Sequence, residues 1–196
     1  SVDIVKAGCE MAGCIIAQIN PRMPRAHGDS FLHLRDLDYV LPCDEPLLEY
    51  TAETDNEVAQ RIGQYVARLV KDGDTIQVGY GAMPNAIMDN LYEKNHLGVH
   101  TELISDGIVE LMRRGVVDNS RKTINRGKTV ATFCMGKPGT YAYIHDNPAV
   151  QFRTIDYTNS PLTIAQHDNM VAINSALEID LTGQATAVSL GSKHFS

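Results

Sequence analysis

The chain has 196 residues, 43% of them hydrophobic and 21% charged, and its formal net charge is −7. This length predicts one to two domains with a core of ordinary size, and the composition excludes a disordered chain. The acidic balance argues against nucleic-acid binding, which needs a basic surface. No apolar run approaches the ~20 residues of a membrane span, and the first residues do not resemble a secretory signal. We therefore expect a cytoplasmic protein without nucleic-acid or membrane partners.

The four cysteines, Cys9, Cys14, Cys43 and Cys134, form no C-x-x-C pair. Their number and spacing predict neither a disulfide framework nor a zinc site, which needs close pairs of ligands. We therefore expect free thiols and no bound metal.

The first 50 residues predict a short helix over 3–13 and a buried strand over 14–19, which ends before Pro21. Residues 21–50 contain four prolines and are typical of an irregular connection or a domain boundary. Within this connection, the polar stretch from His27 to Ser30 suits either a ligand contact or a solvated turn.

From Thr54 onward, strands alternate with helices. Thr54 and Glu57 form a capping box, and Gly73 ends the helix that the box opens. The apolar residues of this helix fall at helical spacing: Val58, Ile62, Tyr65, Val66, Leu69 and Val70. We expect further helices at 84–93, 108–114, 139–146 and 161–167, and strands at 75–78, 97–103, 129–133, 150–155, 170–174 and 185–190. This alternation predicts βα units, and hence an α/β fold with a mostly parallel sheet.

A glycine-rich turn follows the strand at 75–78. Gly79 and Gly81 bracket one residue, which permits a tight turn that exposes backbone N–H groups to an incoming oxygen. The helix that begins at Pro84 adds positive potential at its N-terminus. The turn lacks the third glycine of a dinucleotide fingerprint and the lysine of a phosphate-binding loop, so the pattern alone suits an ordinary βα turn equally well.

A second candidate is Glu102, which stands in an apolar strand just before a Ser-Asp-Gly turn. It is either a surface residue at a sheet edge or a placed carboxylate. A carboxylate is ionised at neutral pH without help from a base, so it is a usable nucleophile. His100 lies two residues earlier, on the same strand face if the alternation holds, where it either orients a partner or is structural.

Glu178 and Asp180 form a third candidate group, since their spacing places both carboxylates on one face of an extended strand. Paired carboxylates catalyse glycoside hydrolysis in some enzymes. Neighbours on one strand are poorly placed to flank a sugar bond, so we do not favour that chemistry.

These stretches resemble the acetyl-CoA hydrolase/transferase family, in the same order along the chain. The matching segments are MPRAHGDSF at 23–31, GYGAMP at 79–84, HTELISDG at 100–107 and NSALEIDLTGQ at 174–184. The resemblance implies CoA transfer between small carboxylic acids of the acetate and 4-hydroxybutyrate type, with coenzyme A as co-substrate and no metal. It implies that Glu102 is the catalytic nucleophile, through a covalent glutamyl-CoA intermediate, and that the backbone N–H of Tyr80 is an oxyanion donor. It also implies CoA contacts from Gly79, Tyr80, Gly81, Ala82 and Met83.

The resemblance also implies a division of the chain. The family has two similar α/β domains, so residues 1–50 correspond to the C-terminal part of a first domain plus linker. Residues 51–196 correspond to the N-terminal part of a second domain, which bears the glutamate. The chain lacks the family's G-G-x-x-D-F segment and is therefore expected to be an internal fragment of a longer enzyme. A domain face exposed by such truncation favours association, so we expect a homo-oligomer.

Three other functions stay open at this point. The same scaffold can hydrolyse an acyl-CoA, with water as the final acceptor. A non-catalytic module can bind CoA or another anion at the glycine turn. A sugar-phosphate isomerase on a related scaffold is a more distant alternative.

Overall fold

The structure, a computed structural model, describes residues 2–50, 57–79 and 81–194. Its helices are α1 (Val5–Met11), α2 (Glu57–Ala67), α3 (Ala82–Asp89), α4 (Asp106–Arg113), α5 (Pro138–Ile144), α6 (Ile155–Thr158) and α7 (Pro161–Ile164), with a 3₁₀ turn at Leu34–Asp36. Its strands are β1 (Ile16–Ile19), β2 (Tyr39–Pro42), β3 (Thr75–Val78), β4 (Gly98–Val99), β5 (Leu103–Ile104), β6 (Thr129–Ala131), β7 (Phe133–Cys134), β8 (Val150–Phe152), β9 (Met170–Ile173), β10 (Glu178–Ile179), β11 (Ala185–Thr186), β12 (Ser189–Leu190) and β13 (Lys193–His194).

The main sheet is parallel. Strand β3 lies between β4 and β9, and β6 pairs with β8 while β5 pairs with β7. A bridge between His100 and Val130 joins the two halves. Strands β4 and β5 are consecutive parts of one interrupted strand, as are β6 and β7. The order across the sheet is therefore β9, β3, β4–β5, β6–β7, β8. The predicted α/β fold with a mostly parallel sheet is confirmed, because helices connect the successive strands of this sheet.

The core lies between this sheet and its helices. Its most deeply buried apolar side chains come from both: Val70, Ile76, Leu91, Leu97, Val99, Ile104, Ile108, Leu111, Val130 and Phe152. Strands β3 to β6 are buried on both faces, as expected for a parallel sheet covered by helices. None of the helices that the structure describes has the length and apolarity to cross a membrane.

Helix α2 packs through its small residues rather than its large ones. Its buried positions are Ala59, Gly63 and Ala67, and a Cβ at Gly63 would lie 2.6 Å from the carbonyl oxygen of Ala86 in α3. Large apolar residues that suggested the helix from sequence are exposed, Tyr65 at 60% and Leu69 at 73%. The helix was predicted correctly, but close backbone contact with α3 selects the face that carries glycine and alanine.

The N-terminal segment docks on the edge of the main sheet through Gly28. The Phe152 N–H donates to the His27 carbonyl at 2.8 Å, and the Asp29 N–H donates to the Phe152 carbonyl at 2.7 Å. Gly28 has a φ of 101°, and a Cβ there would lie 2.2 Å from the Phe152 carbonyl oxygen. Residues 27–30 therefore pair with β8 at the edge of the sheet. This pairing explains the backbone conformation of the stretch without a ligand.

The prediction of one buried strand in the N-terminal segment was wrong in two respects. Strand β1 is mostly exposed, and it pairs in parallel with β2, which lies inside the stretch expected to be irregular. Tyr39 and Ile16 face each other in this pair at 62% and 63% exposure. Proline at position 42 did not prevent a strand, because it stands at the end of β2.

Other boundaries also differ from the sequence prediction. Helix α3 begins two residues before Pro84, and residues 153–158 turn into helix α6 instead of completing the strand. The strand expected at 97–103 is interrupted between β4 and β5. Strands β10 to β13 form two short antiparallel hairpins. The capping residue Thr54 lies outside the described residues.

The close contact of Gly28 with Phe152 predicts that a side chain at position 28 destabilises the fold. We expect Gly28→Ala to reduce the free energy of unfolding by about 2–4 kcal/mol, because the new Cβ adds a clash to an unfavourable φ. Gly115→Ala is the matched control, since Gly115 has a φ of 74° but nothing within 4 Å of the added atom. We expect that control to cost about 1 kcal/mol. Urea unfolding measures both, and equal losses would contradict the contact with Phe152.

Candidate active site

The glycine turn and Glu102 are tied together through Thr101. The buried Thr101 hydroxyl accepts from the Val78 N–H at 3.2 Å and donates to the Val78 carbonyl at 3.1 Å. Val78 directly precedes Gly79, and Thr101 directly precedes Glu102. The two predicted site segments are therefore neighbours at the carboxyl edge of the sheet, where open α/β sheets bind ligands.

The main chain at Glu102 is held from the opposite side as well. Its carbonyl accepts from the N–H groups of Thr132 and Phe133, at 2.9 and 3.1 Å, and from the Thr132 hydroxyl at 2.9 Å. Thr132 is fully buried. Three donors on one carbonyl fix the backbone of Glu102 even though it lies in a bend between β4 and β5.

The Glu102 side chain is exposed and lines a cavity of about 300 Å³. The cavity lies between the sheet and the α6–α7 segment. Its walls are Gln77, His100, Thr101, Glu102, Thr158, Asn159, Ile164, Met170, Ala172 and Asn174. Within the described part of the chain, the Glu102 carboxylate has no hydrogen-bond or ion-pair partner. It is thus open to a substrate.

Two amide side chains form a reciprocal pair in this cavity. Gln77 Nε2 donates to Asn174 Oδ1 at 3.1 Å, and Asn174 Nδ2 donates to Gln77 Oε1 at 2.8 Å. The Asn174 amide packs against the glycine turn, since a Cβ at Gly79 would lie 2.7 Å from the amide oxygen. Each amide keeps one further N–H. The absence of a side chain at position 79 leaves the room that the Asn174 amide occupies.

The turn itself keeps the features that the sequence suggested. The Gly79 N–H continues the sheet by donating to the Ile173 carbonyl at 2.8 Å. Gly81 has a φ of 130°, which favours glycine, and helix α3 begins at the next residue. Met83 is half-buried and packs against the core. Tyr80 lies outside the described residues, so its assigned roles as oxyanion donor and CoA contact stay predictions, as do the CoA contacts of Gly79, Gly81, Ala82 and Met83.

A buried group of titratable side chains lies behind the cavity. His100 is 1% exposed, and its Nε2 contacts the Thr158 carbonyl at 2.8 Å. Its ring centroid is 4.7 Å from that of His167, at an interplanar angle of 57°. His100 Nδ1 and both His167 ring nitrogens have no hydrogen-bond partner among the described residues. Burial lowers the pKa of both side chains, that of His167 to about 4, so both rings are neutral at pH 7.

Lys122 completes this buried group. It is 3% exposed, and its Nζ donates to the carbonyls of Val99 and Lys128, at 2.8 and 2.7 Å. Burial lowers its pKa to about 7. These two bonds secure the loop before β6 to the end of β4, and no carboxylate of the described residues pairs with the lysine. Its contacts point to a structural role.

The other predicted candidates lie away from the cavity. His27 faces the Asp146 carboxylate at 3.1 Å, and the Asp29 carboxylate lies 3.0 Å from Arg153, so these side chains serve the docked segment. The expected strand through Glu178 and Asp180 was wrong, since β10 ends at Ile179. The Asp180 carboxylate accepts from the N–H groups of Thr182 and Gln184, because this short side chain stabilises a turn.

Sequence reasoning did not single out Gln77 or Thr132, and it placed Thr101 and Asn174 only within family segments. Strand register is the signal that brings the cavity residues together: Gln77 pairs with Ala172 on β9, two residues before Asn174. That register requires knowing that β9, the last strand of the sheet in the chain, lies beside β3. The four cysteines are free, and no group of three or more potential metal ligands occurs in the part of the chain that the structure describes.

Comparison with known proteins assigns this arrangement to a class. The crystal structure of a 4-hydroxybutyrate CoA-transferase from Porphyromonas gingivalis superposes with a TM-score of 0.90 at 38% sequence identity, covering 94% of this chain and 47% of that one. The fold is therefore that of CoA-transferase domains.

The sequence relatives are also named CoA-transferases. The 4-hydroxybutyrate coenzyme A transferase of Clostridium kluyveri is 44% identical over 196 residues, covering 100% of this chain and 46% of that protein. The succinyl-CoA:cyclohexane-1-carboxylate CoA transferase of Geobacter metallireducens is 41% identical, covering 100% and 45%. Residues 136–196 match the family model of the acetyl-CoA hydrolase/transferase C-terminal domain. The chain is similar to these CoA-transferases along its whole length and to the acetyl-CoA hydrolase/transferase family in its last 61 residues, and it spans less than half the length of these relatives.

The buried histidines predict a pH dependence of stability. The folded-state pKa of His167 is about 4, below the ordinary 6.5, so the unfolded chain binds this proton first. The contribution of His167 to the free energy of unfolding is therefore fully present above about pH 6.5 and is lost as the pH falls towards 4. Between pH 7 and pH 4, we expect the free energy of unfolding of His167→Leu to fall by about 3 kcal/mol less than that of the wild type. Urea unfolding at several pH values measures the difference, and parallel curves for the two proteins would contradict it.

Proposed function

We propose that the protein is a CoA-transferase that moves CoA between an acyl-CoA and a small carboxylic acid through Glu102. The observation that carries this proposal is the Glu102 carboxylate, which lines a cavity without a partner among the described residues and is tied through Thr101 to the start of a glycine turn. The names of the relatives support this reaction class. Acetate and 4-hydroxybutyrate are the acceptors we favour, with coenzyme A as co-substrate.

The reaction we propose has four steps. The Glu102 carboxylate attacks the thioester carbonyl, the C–S bond breaks, and an acyl-glutamyl anhydride and CoA thiolate result. The thiolate then attacks the glutamyl carbonyl, releasing the acid and leaving a glutamyl-CoA thioester. An acceptor carboxylate attacks that thioester, giving a second anhydride and free thiolate. Attack of the thiolate on the new acyl carbonyl forms the product acyl-CoA and restores Glu102, so the thioester energy is conserved.

Each attack creates a tetrahedral intermediate with a negatively charged oxygen. The Gly79 N–H is used by the sheet, so we assign the stabilisation of that charge to the next backbone N–H of the turn, that of Tyr80. Helix α3 begins directly after this turn, so its N-terminus adds positive potential to the turn. Removing one such donor typically costs about 3 kcal/mol of transition-state stabilisation.

Water must be kept from the anhydride, which a domain closing over the exposed carboxylate would achieve. We propose that residues 1–50 are the end of such a first domain and that residues 51–196 begin the second. The exposed parallel pair β1–β2 supports this division, since parallel strands are normally covered on both faces. The same exposed apolar surface supports association into a homo-oligomer, and we place the enzyme in the cytoplasm.

The test is to trap the intermediate. We expect incubation of the full-length protein with an acyl-CoA to produce a CoA adduct on the peptide that contains Glu102, detected by mass spectrometry. Glu102→Ala should abolish the adduct and lower turnover by about 10³-fold or more, because the nucleophile is gone.

Glu110→Ala is the matched control, since this glutamate lies on α4 and pairs with Arg114 away from the cavity. We expect it to keep both the adduct and the rate. An adduct on another residue, or full activity in Glu102→Ala, would contradict the assignment. Transfer to acetate measured beside release of free acid separates a transferase from a hydrolase.

A further inference from the structure

The contact between Thr101 and Val78 replaces part of the regular hydrogen bonding between two parallel strands. One residue pair earlier the ladder is normal, since the His100 N–H donates to the Ile76 carbonyl at 3.1 Å. At Val78, both the N–H and the carbonyl bind the Thr101 hydroxyl instead of the main chain of the neighbouring strand. The Thr101 side chain thus takes the place of the main-chain hydrogen bonds that would otherwise join the two strands.

This substitution has a geometric consequence. A hydroxyl placed between two main chains holds them further apart than a direct N–H to carbonyl bond. The strand that contains Thr101 therefore leaves β3 at this point, which coincides with the interruption between β4 and β5. The interruption contains Glu102, which lines the cavity together with Gln77 and Asn174.

The opposite side of the strand is secured by a second threonine. The Thr132 hydroxyl donates to the Glu102 carbonyl, which the N–H groups of Thr132 and Phe133 also bind. Thr101 and Thr132 are 2% and 0% exposed. The main chain is therefore anchored by a buried hydroxyl on each side, Thr101 to β3 just before Glu102 and Thr132 to the Glu102 carbonyl itself, whereas the Glu102 carboxylate has no partner among the described residues.

We propose that Thr101 is a positioning residue, whose hydroxyl sets the separation between the glycine turn and the Glu102 carboxylate, with Thr132 as a weaker second support. This inference rests on the proposed function of Glu102. Removal of the Thr101 hydroxyl leaves the Val78 N–H and carbonyl without partners in a buried place, unless the strand moves towards β3. Either outcome displaces the carboxylate, and displacement by about 1 Å costs up to about 100-fold in rate.

The experiment compares matched threonine variants of the full-length protein in steady-state CoA transfer and in single-turnover formation of the CoA adduct. Thr101→Val keeps the shape and removes the hydroxyl, and we expect kcat to fall about 100-fold with KM changed less than about threefold. Thr101→Ser keeps the hydroxyl and should stay within about fivefold of the wild-type kcat. Adduct formation should slow in proportion to kcat.

Two further variants define the range. Thr132→Val leaves two N–H donors on the Glu102 carbonyl, so we expect a loss of about tenfold, restored by Thr132→Ser. Thr75→Val makes the same change at another buried threonine, at the amino end of β3, and should keep the wild-type rate. If Thr101→Val does not fold, Thr101→Ala removes the same hydroxyl, and its kcat compared with that of Thr101→Ser tests the hydroxyl at nearly equal side-chain size.

Each result decides between the two levels of the proposal. A wild-type rate in Thr101→Val, or equal losses in Thr101→Ser and Thr101→Val, would overturn the positioning role while leaving Glu102 as the nucleophile. A higher KM at unchanged kcat would also overturn it, because that pattern indicates lost substrate binding. If the wild type forms no adduct at Glu102, the proposed function fails first and the positioning role fails with it.

Discussion

The hydroxyl of Thr101 binds the main chain of Val78 where the next strand would otherwise do so, and the geometry of the site depends on that exchange. It joins the glycine turn to the segment that carries Glu102 while keeping their backbones apart. An ordinary parallel ladder would place the two strands in direct contact. The site is thus built from a local departure from regular sheet structure at the carboxyl edge, where such departures serve function.

The side chains around Glu102 fall into two classes that meet at the cavity. On the exposed side, Gln77 and Asn174 pair with each other and retain further donors for a ligand. On the buried side, His100 and His167 are kept neutral by burial, and Lys122 binds main-chain carbonyls. The inner group ties strand, loop and helix together, whereas the outer group lines the open cavity.

The N-terminal segment is joined to the sheet edge by main-chain hydrogen bonds at Gly28 and by the side-chain pairs His27–Asp146 and Asp29–Arg153. Gly28 permits this because a side chain at that position would meet the Phe152 carbonyl. The same segment leaves β1 and β2 exposed on a scale unusual for parallel strands. The docked edge is fixed, whereas the outer face is available to a further domain or subunit.

The sequence by itself determined the fold class and pointed to the two segments that the structure brings together at the carboxyl edge of the sheet. Glycine spacing at 79–81 and an isolated carboxylate at 102 are local signals, because a tight turn and a charged side chain in an apolar strand are visible in a few residues. Strand β3 and helices α4 and α5 were also predicted to within about two residues, since their patterns are strong and short-range. The family segments extended this to roles for individual residues, and those roles stay predictions.

Only the tertiary structure decided which segments lie together. Thr101 is an unremarkable residue in a strand until β3 is known to lie beside it, and Asn174 reaches the site because β9, far along the chain, pairs with the same strand. The exposed face of α2 and the strand at 39–42 were missed for a related reason. Burial depends on what packs against a residue, and a sequence states what a residue is without stating its neighbours.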